Sequence, residues 1–98
     1  MNFKLVVRSL AEKDIQHSFE WYEFQQRNLG LSFIDEISKG ISVIQANPFI
    51  FQIRYKETRI GYINKFPFGI HYIIQEDKII VLGVFHFKLS SSKWTKRK

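Results

Sequence analysis

Apolar positions along the chain change period twice. Residues 2–8, NFKLVVR, alternate, with Phe3, Leu5 and Val7 on one side, and predict a first strand. From Ala11 the apolar positions step by four, four and three through Ile15, Phe19 and Tyr22, flanked by Trp21 and Phe24. That is the spacing of one helix face. Ser9 stands ahead of it as an N-cap and Glu12 follows three residues later, the pattern of a capping box. Asn28 and Gly30 interrupt the helix. A second stripe then runs through Phe33, Ile34, Ile37, Ile41 and Ile44, and the tripeptide ANP closes it, because the residue before a proline avoids the helical region. Two helices with so short a link predict an antiparallel hairpin.

After Pro48 the pattern turns to strands. FIFQIRY and TRIGYINKF are rich in β-formers but broken by charge. GIHYIIQ and KIIVLGVFHF are nearly continuous apolar runs joined by a polar turn, EDK. They predict a central hairpin buried on much of both faces. Phe66-Pro67 cannot continue a central ladder, since proline donates no hydrogen bond, and Gly69 restarts the strand with a bulge. The order is β-α-α-β-β-β, with room for a fourth strand after the helices. The fold class is α+β in two layers: an N-terminal strand, an antiparallel helical hairpin and three to four antiparallel strands. The first strand is placed to pair in parallel with a later one. The helices need one sheet face to bury their stripes. The other face is expected to be free and to carry aromatic and basic residues.

Ninety-eight residues make one domain, 1–98, and an apolar fraction of 45% with 16% aromatics is enough for a compact core. There are no cysteines, which excludes disulfides and thiolate metal sites. The first residues do not read as a signal peptide and no stretch approaches the length of a membrane span. The expectation is a soluble cytoplasmic protein without membrane contact. Charge changes the picture more. The formal net charge is +6, but residues 11–46 carry a net −3, residues 54–65 a net +3, and the tail 88–98 a net +5 with no acid. A basic end set against a mildly acidic helical region suits a polyanionic or acidic partner.

These segments, in this order, resemble the RelE/ParE superfamily of type II toxin–antitoxin toxins, most closely its ParE-like, plasmid-stabilisation branch. The residues that carry the resemblance are SLAEKDI after the first strand, SFEWYEFQQRNLG, LSFIDEISKGISVIQANP, TRIGYINKFPFGIHYII, and IIVLGVFHFKLSSSKW with its WTKR ending. The resemblance spans nearly the whole chain. It implies a cognate antitoxin as partner, DNA contact only through that antitoxin, no cofactor, and a target in DNA gyrase or in the ribosome and messenger RNA. Three functions follow from it: a ParE-like toxin that arrests growth by binding a gyrase-type target, a RelE-type ribosome-dependent endoribonuclease, and a degenerate member that only binds antitoxin and helps repress its operon. Cleaving members carry an arginine where this chain has Gly69, and a tyrosine where this chain has Trp94; ParE-like tails often carry arginine where this chain has Lys88 and Leu89.

Cleavage by 2′-hydroxyl attack needs a proton acceptor, a proton donor and cations around the phosphate. The residues on offer for catalysis are His86, Arg59, Lys88 and Arg97. Those expected to meet a target are Arg59, Lys65, His86, Lys88, Trp94 and Arg97, gathered on the free sheet face with Trp94 as anchor. As a histidine, His86 is a candidate proton shuttle; its alternative is a strand-end histidine bonded to backbone or packed on Trp94. Arg59 suits phosphate or carboxylate recognition, or a structural pairing within the sheet. His71 is expected to be a semi-exposed strand residue and His17 a solvated one. Tyr62, Tyr72 and Phe66 are expected in the core. Three scattered histidines lack ligand spacing, so no metal is expected.

Overall fold

The computed structural model describes residues 2–89 and 94–97. Its elements are β1 (Lys4–Val7), α1 (Ser9–Gln25), α2 (Leu29–Ala46), β2 (Ile53–Tyr55), β3 (Thr58–Tyr62), β4 (Phe68–Gln75) and β5 (Lys78–His86). One five-stranded sheet has the order β1-β5-β4-β3-β2. β1 joins β5 in parallel, with Lys4 opposite Lys78 and Val7 opposite Val81; the other pairs are antiparallel. The two helices lie on one face of this sheet and close over the core, which contains Phe33, Ile37, Ile44, Ile70, Tyr72, Ile79 and Val81. The expected α+β, two-layer architecture is therefore present. Of the basic tail 88–98, residues 90–93 and 98 lie outside the described residues.

The capping box is not made. Arg8, extended at φ −67° and ψ 152°, is the N-cap, no side chain caps the helix, and Ser9 is already helical. The reason lies in the preceding strand. The Arg8 N–H donates to Val81 O at 3.1 Å, ending the β1–β5 ladder, and its own carbonyl takes the Glu12 N–H at 3.0 Å. One residue serves both elements, and the helix starts one position earlier than the serine predicts.

The link between the helices is held from α1. Asn28 turns the chain in the left-handed region at φ 70°. The Glu23 carboxylate accepts the Asn28 N–H at 2.9 Å and the Gly30 N–H at 3.0 Å, satisfying donors that the start of α2 would otherwise leave open. Gly30 belongs to α2, not to the link, and a Cβ there would sit 2.6 Å from Phe19 O. Its bare backbone lets the helices cross closely. Glu23→Ala should lower unfolding stability by about 1–2 kcal/mol, read from urea titration. Glu23→Gln, which keeps one acceptor, should lose less.

At the far end α2 stops before Pro48 as expected, with Asn47 N–H bonded to Val43 O at 3.2 Å. Only Ile53–Tyr55 of the segment FIFQIRY becomes strand; its Phe51 ring instead lies where a side chain on Gly61 would be. The β4–β5 hairpin turns through Glu76 at φ 57° and Asp77. The bulge falls between His71 and Tyr72, opposite Leu82, rather than at Gly69. It keeps Val81 and Val84 facing the helices, together with Ile70 and Tyr72. Burial raises the Tyr72 phenol to about 12, against a lesser pull from Arg59, and its hydroxyl donates to Pro48 O at 2.7 Å.

Candidate functional site

Strand register decides which side chains leave the helical layer. His71 pairs with Ile60 on β3 and Gly83 on β5, and alternation turns it to the face away from the helices. It is only 3% exposed, which corrects the expectation of a semi-exposed residue. Tyr55, Phe85 and Trp94 cover it, with ring centroids 5.8, 4.8 and 4.9 Å from the imidazole. The Tyr55 hydroxyl lies 2.9 Å from His71 Nδ1. Burial first, and the Arg97 charge second, push the His71 pKa down to about 4. The ring is neutral at physiological pH. Burial also raises the Tyr55 phenol.

The cover comes from the carboxyl-terminal turn, so the second face is not free. Trp94 packs on Tyr55 at 4.7 Å as well as on His71. Its indole N–H donates to Leu89 O at 3.3 Å. Arg97 donates to both carboxylate oxygens of Asp14, at 2.8 and 3.0 Å, and to Leu82 O at 3.0 Å. Its guanidinium lies over Phe85, 4.8 Å from the centroid. Both partners are largely covered, with side chains 19% and 16% exposed. Asp14 Oδ2 also accepts the Val84 N–H at 3.0 Å, a donor beyond the reach of β1, whose pairing stops at Val81. Gly83 makes the approach possible: a Cβ there would meet the Phe85 ring at 2.5 Å and Arg97 Nη1 at 2.9 Å.

The residues expected to form one target surface divide between the two faces. Arg59 pairs with Tyr72 and so points to the helical side. There it donates to Phe51 O at 2.6 Å and lies over Phe49 at 5.3 Å. Lys65, in the β3–β4 loop at φ 71°, sits 3.6 Å from Glu36 of α2. Neither joins Trp94 and Arg97. His86 ends β5 opposite Phe68, and its ring meets the Phe68 ring edge-on at 5.3 Å. Its Nδ1 accepts the Lys88 N–H at 3.0 Å, so in the neutral ring the proton is on Nε2. His86 therefore bonds to backbone, as one of its two structural expectations held, and it packs on Phe68 rather than on Trp94. Lys88 itself is exposed.

What remains on the second face is a groove of about 690 Å³. Gly69 and Ile60 lie in its floor, Trp94 on one wall, and Arg54 and His86 also line it. Tyr62 and Phe87 meet edge-to-face at 4.9 Å and are 46% and 54% exposed; Tyr62 is a rim residue and not core, whereas Tyr72 and Phe66 are buried. A side chain at position 69 would begin 2.6 Å from Ile60 Cγ2, so an arginine there would require Ile60 to shift. A smaller hollow of about 340 Å³ opens beside α1 between His17, Trp21, Tyr22 and His86. Among the described residues no cluster of three or more metal-ligating side chains occurs, and no helix is long and apolar enough to cross a membrane. The groove offers aromatic faces, the Arg54 cation and the His86 imidazole.

Sequence reasoning missed Asp14, Tyr55 and the burial of His71. Asp14 and Arg97 are 83 residues apart, and no local pattern links them. His71 did carry a signal: Ile73, two residues on and on the same face, belongs to a continuous apolar run.

A two-layer α+β domain of this topology, with a docked basic turn over the sheet, is the setting for comparison with known proteins. The family model described as the ParE toxin of type II toxin–antitoxin system, parDE, matches residues 5–88. The chain belongs to the ParE toxin family. Among solved structures it is similar to "Chromosomal ParDE TA system from P. aeruginosa", with a TM-score of 0.77 and 16% identity over 86% of this chain and 95% of that one. That likeness shows the fold. A search of curated proteins finds no match. The turn from Trp94 to Arg97 lies beyond the matched span.

Proposed function

We propose that this chain is the toxin half of a type II module, that it arrests growth by binding a protein target of the DNA gyrase type rather than by cutting RNA, and that an antitoxin occupies it at rest. Membership of the ParE toxin family supports the module and the antitoxin. So does the likeness to a ParDE system of P. aeruginosa. The observation that carries binding over cleavage is the floor of the groove. Gly69 stands there and supplies no cation. Two further candidates are committed elsewhere: Arg97 to Asp14, and His71 as a buried neutral ring; His86 and Arg54 line the groove, with His86 Nδ1 taken by the Lys88 N–H. A general base must reach its proton and titrate near the working pH, and His71 does neither.

Expression of the chain alone is expected to arrest growth. The purified chain is expected to inhibit negative supercoiling by gyrase, while transcript ends in arrested cells stay unchanged. Transcripts cut at ribosome-paused codons would replace the binding reading with the endoribonuclease. Unimpaired growth would leave the antitoxin-binding co-repressor.

A further inference from the structure

The carboxyl-terminal turn joins no strand ladder, so side chains must hold it. Two of its links are long: Lys56 Nζ reaches Thr95 O at 3.3 Å from an exposed position, and the Tyr55 hydroxyl reaches Trp94 O at 3.5 Å. The strong one is Arg97. The three hydrogen bonds of its guanidinium are all at or under 3.0 Å, two of them to a carboxylate in the forked geometry that guanidinium favours. Asp14 sits on α1, on the helical layer, and Arg97 reaches it around the edge of β5 where β1 has stopped. Trp94, three residues before Arg97, then forms a wall of the groove.

We propose that Asp14 is a positioning residue for this turn: by gripping Arg97 it fixes Trp94 over Tyr55 and His71, and the groove wall set in that place is part of what the toxin's target recognises. The proposal rests on the reading of the chain as a toxin that works by binding. It adds that the binding surface is completed by an ion pair between the first helix and the last residues described. The physical case is the sharing of one carboxylate. Asp14 serves the Val84 N–H of the sheet and the Arg97 guanidinium of the turn together, so the turn is referenced to the strand edge rather than to solvent. The Trp94 side chain on its own has stacking contacts and one 3.3 Å bond, to Leu89 O.

Two variants separate the roles of the carboxylate. Asp14→Asn weakens both of its bonds, whereas Arg97→Gln opens the clasp and leaves the Asp14–Val84 bond in place. In a Trp21→Phe background Trp94 is the sole tryptophan, and its emission reports the clasp directly. Both variants are expected to shift that emission to the red, raise its quenching by acrylamide toward that of exposed indole, and abolish growth arrest when placed in the otherwise unaltered chain. Arg97→Lys, which keeps the charge without the fork, should fall between. Emission unchanged in Arg97→Gln overturns the clasp. Emission shifted with full growth arrest overturns the role of the wall in recognition. If Asp14→Asn does not fold by circular dichroism, Arg97→Gln decides alone. If the unaltered chain fails to arrest growth, the toxin reading falls, and with it the recognition role; the emission arm still decides whether Asp14 holds the turn.

Discussion

Phe33→Ala is expected to cost about 3–5 kcal/mol of unfolding free energy. The Phe33 ring is fully buried where α2 meets the sheet, and it touches the rings of Tyr22, Phe66 and Phe68, with centroids 5.4, 5.4 and 5.0 Å away. Truncation loses the transfer energy of the ring and leaves a hole between three rigid aromatic walls. Those walls belong to a helix, a loop and a strand, so they cannot collapse together cheaply. A domain of this size has about 5–15 kcal/mol in total, and each kcal/mol moves its melting midpoint by about 4–8 °C. Phe33→Leu, which fills most of the volume, should cost markedly less. Thermal and urea unfolding of the two variants measure the difference. A Phe33→Ala protein within 1 kcal/mol of the parent, roughly the error of such extrapolations, would mean that the aromatic cluster is not the centre of the core.

Acidification should destabilise the fold through His71. The folded-state pKa lies near 4, below the ordinary 6.5, so the folded chain holds fewer protons than the unfolded chain between those values. Above pH 6.5 the neutral ring costs nothing in either state and stability is full. As pH falls from 6.5 toward 4 the unfolded state takes up a proton that the folded state refuses, and stability drains away. The total is about 3 kcal/mol at 1.36 kcal/mol per unit. The measurement is urea unfolding at pH 7 and at pH 4.5, on the parent and on His71→Gln. The variant should lose part of the acid slope, because glutamine does not titrate. An unchanged slope would assign the acid sensitivity to other groups and remove the case for a buried neutral imidazole.

How much of this was legible in the sequence differs by range. The helical stripe from Phe33 to Ile44 and the hairpin strands around EDK are periodic signals, and periodicity reflects which side a residue turns to its own neighbours. Class and element order followed from that. The capping box at Ser9 failed because β1 and α1 share Arg8, and a pattern scored on the helix alone cannot see the strand's claim on that residue. The grouping of the basic residues on one sheet face failed for a different reason. Basic residues near one another in type and in strand count were assigned to one face, whereas parity puts Arg59 with Tyr72 on the helical side and Tyr62 with Gly69 on the other. A correct register would have separated them. The pairing of Asp14 with Arg97 joins the ends of the chain, and only the folded path brings them together. His71 is the intermediate case, since a histidine inside a run apolar on both faces points to burial.

The parallel pairing of β1 with β5 has a consequence for how the protein is born. The first strand made waits for the last: Lys4 meets Lys78, and Val7 meets Val81. Helices α1 and α2 can form and meet early, since their contacts are local, but the sheet that receives them has β5 next to its middle, between β1 and β4. Contacts of such long sequence separation close late and slowly. Chains released at residue 77 should stay open to proteases, while chains released at residue 98 should resist them. Synthesis proceeds at about 5–20 residues per second, so there is an interval of seconds in which the helical hairpin exists and the finished sheet does not. Whatever this fold does begins only after translation has passed β5.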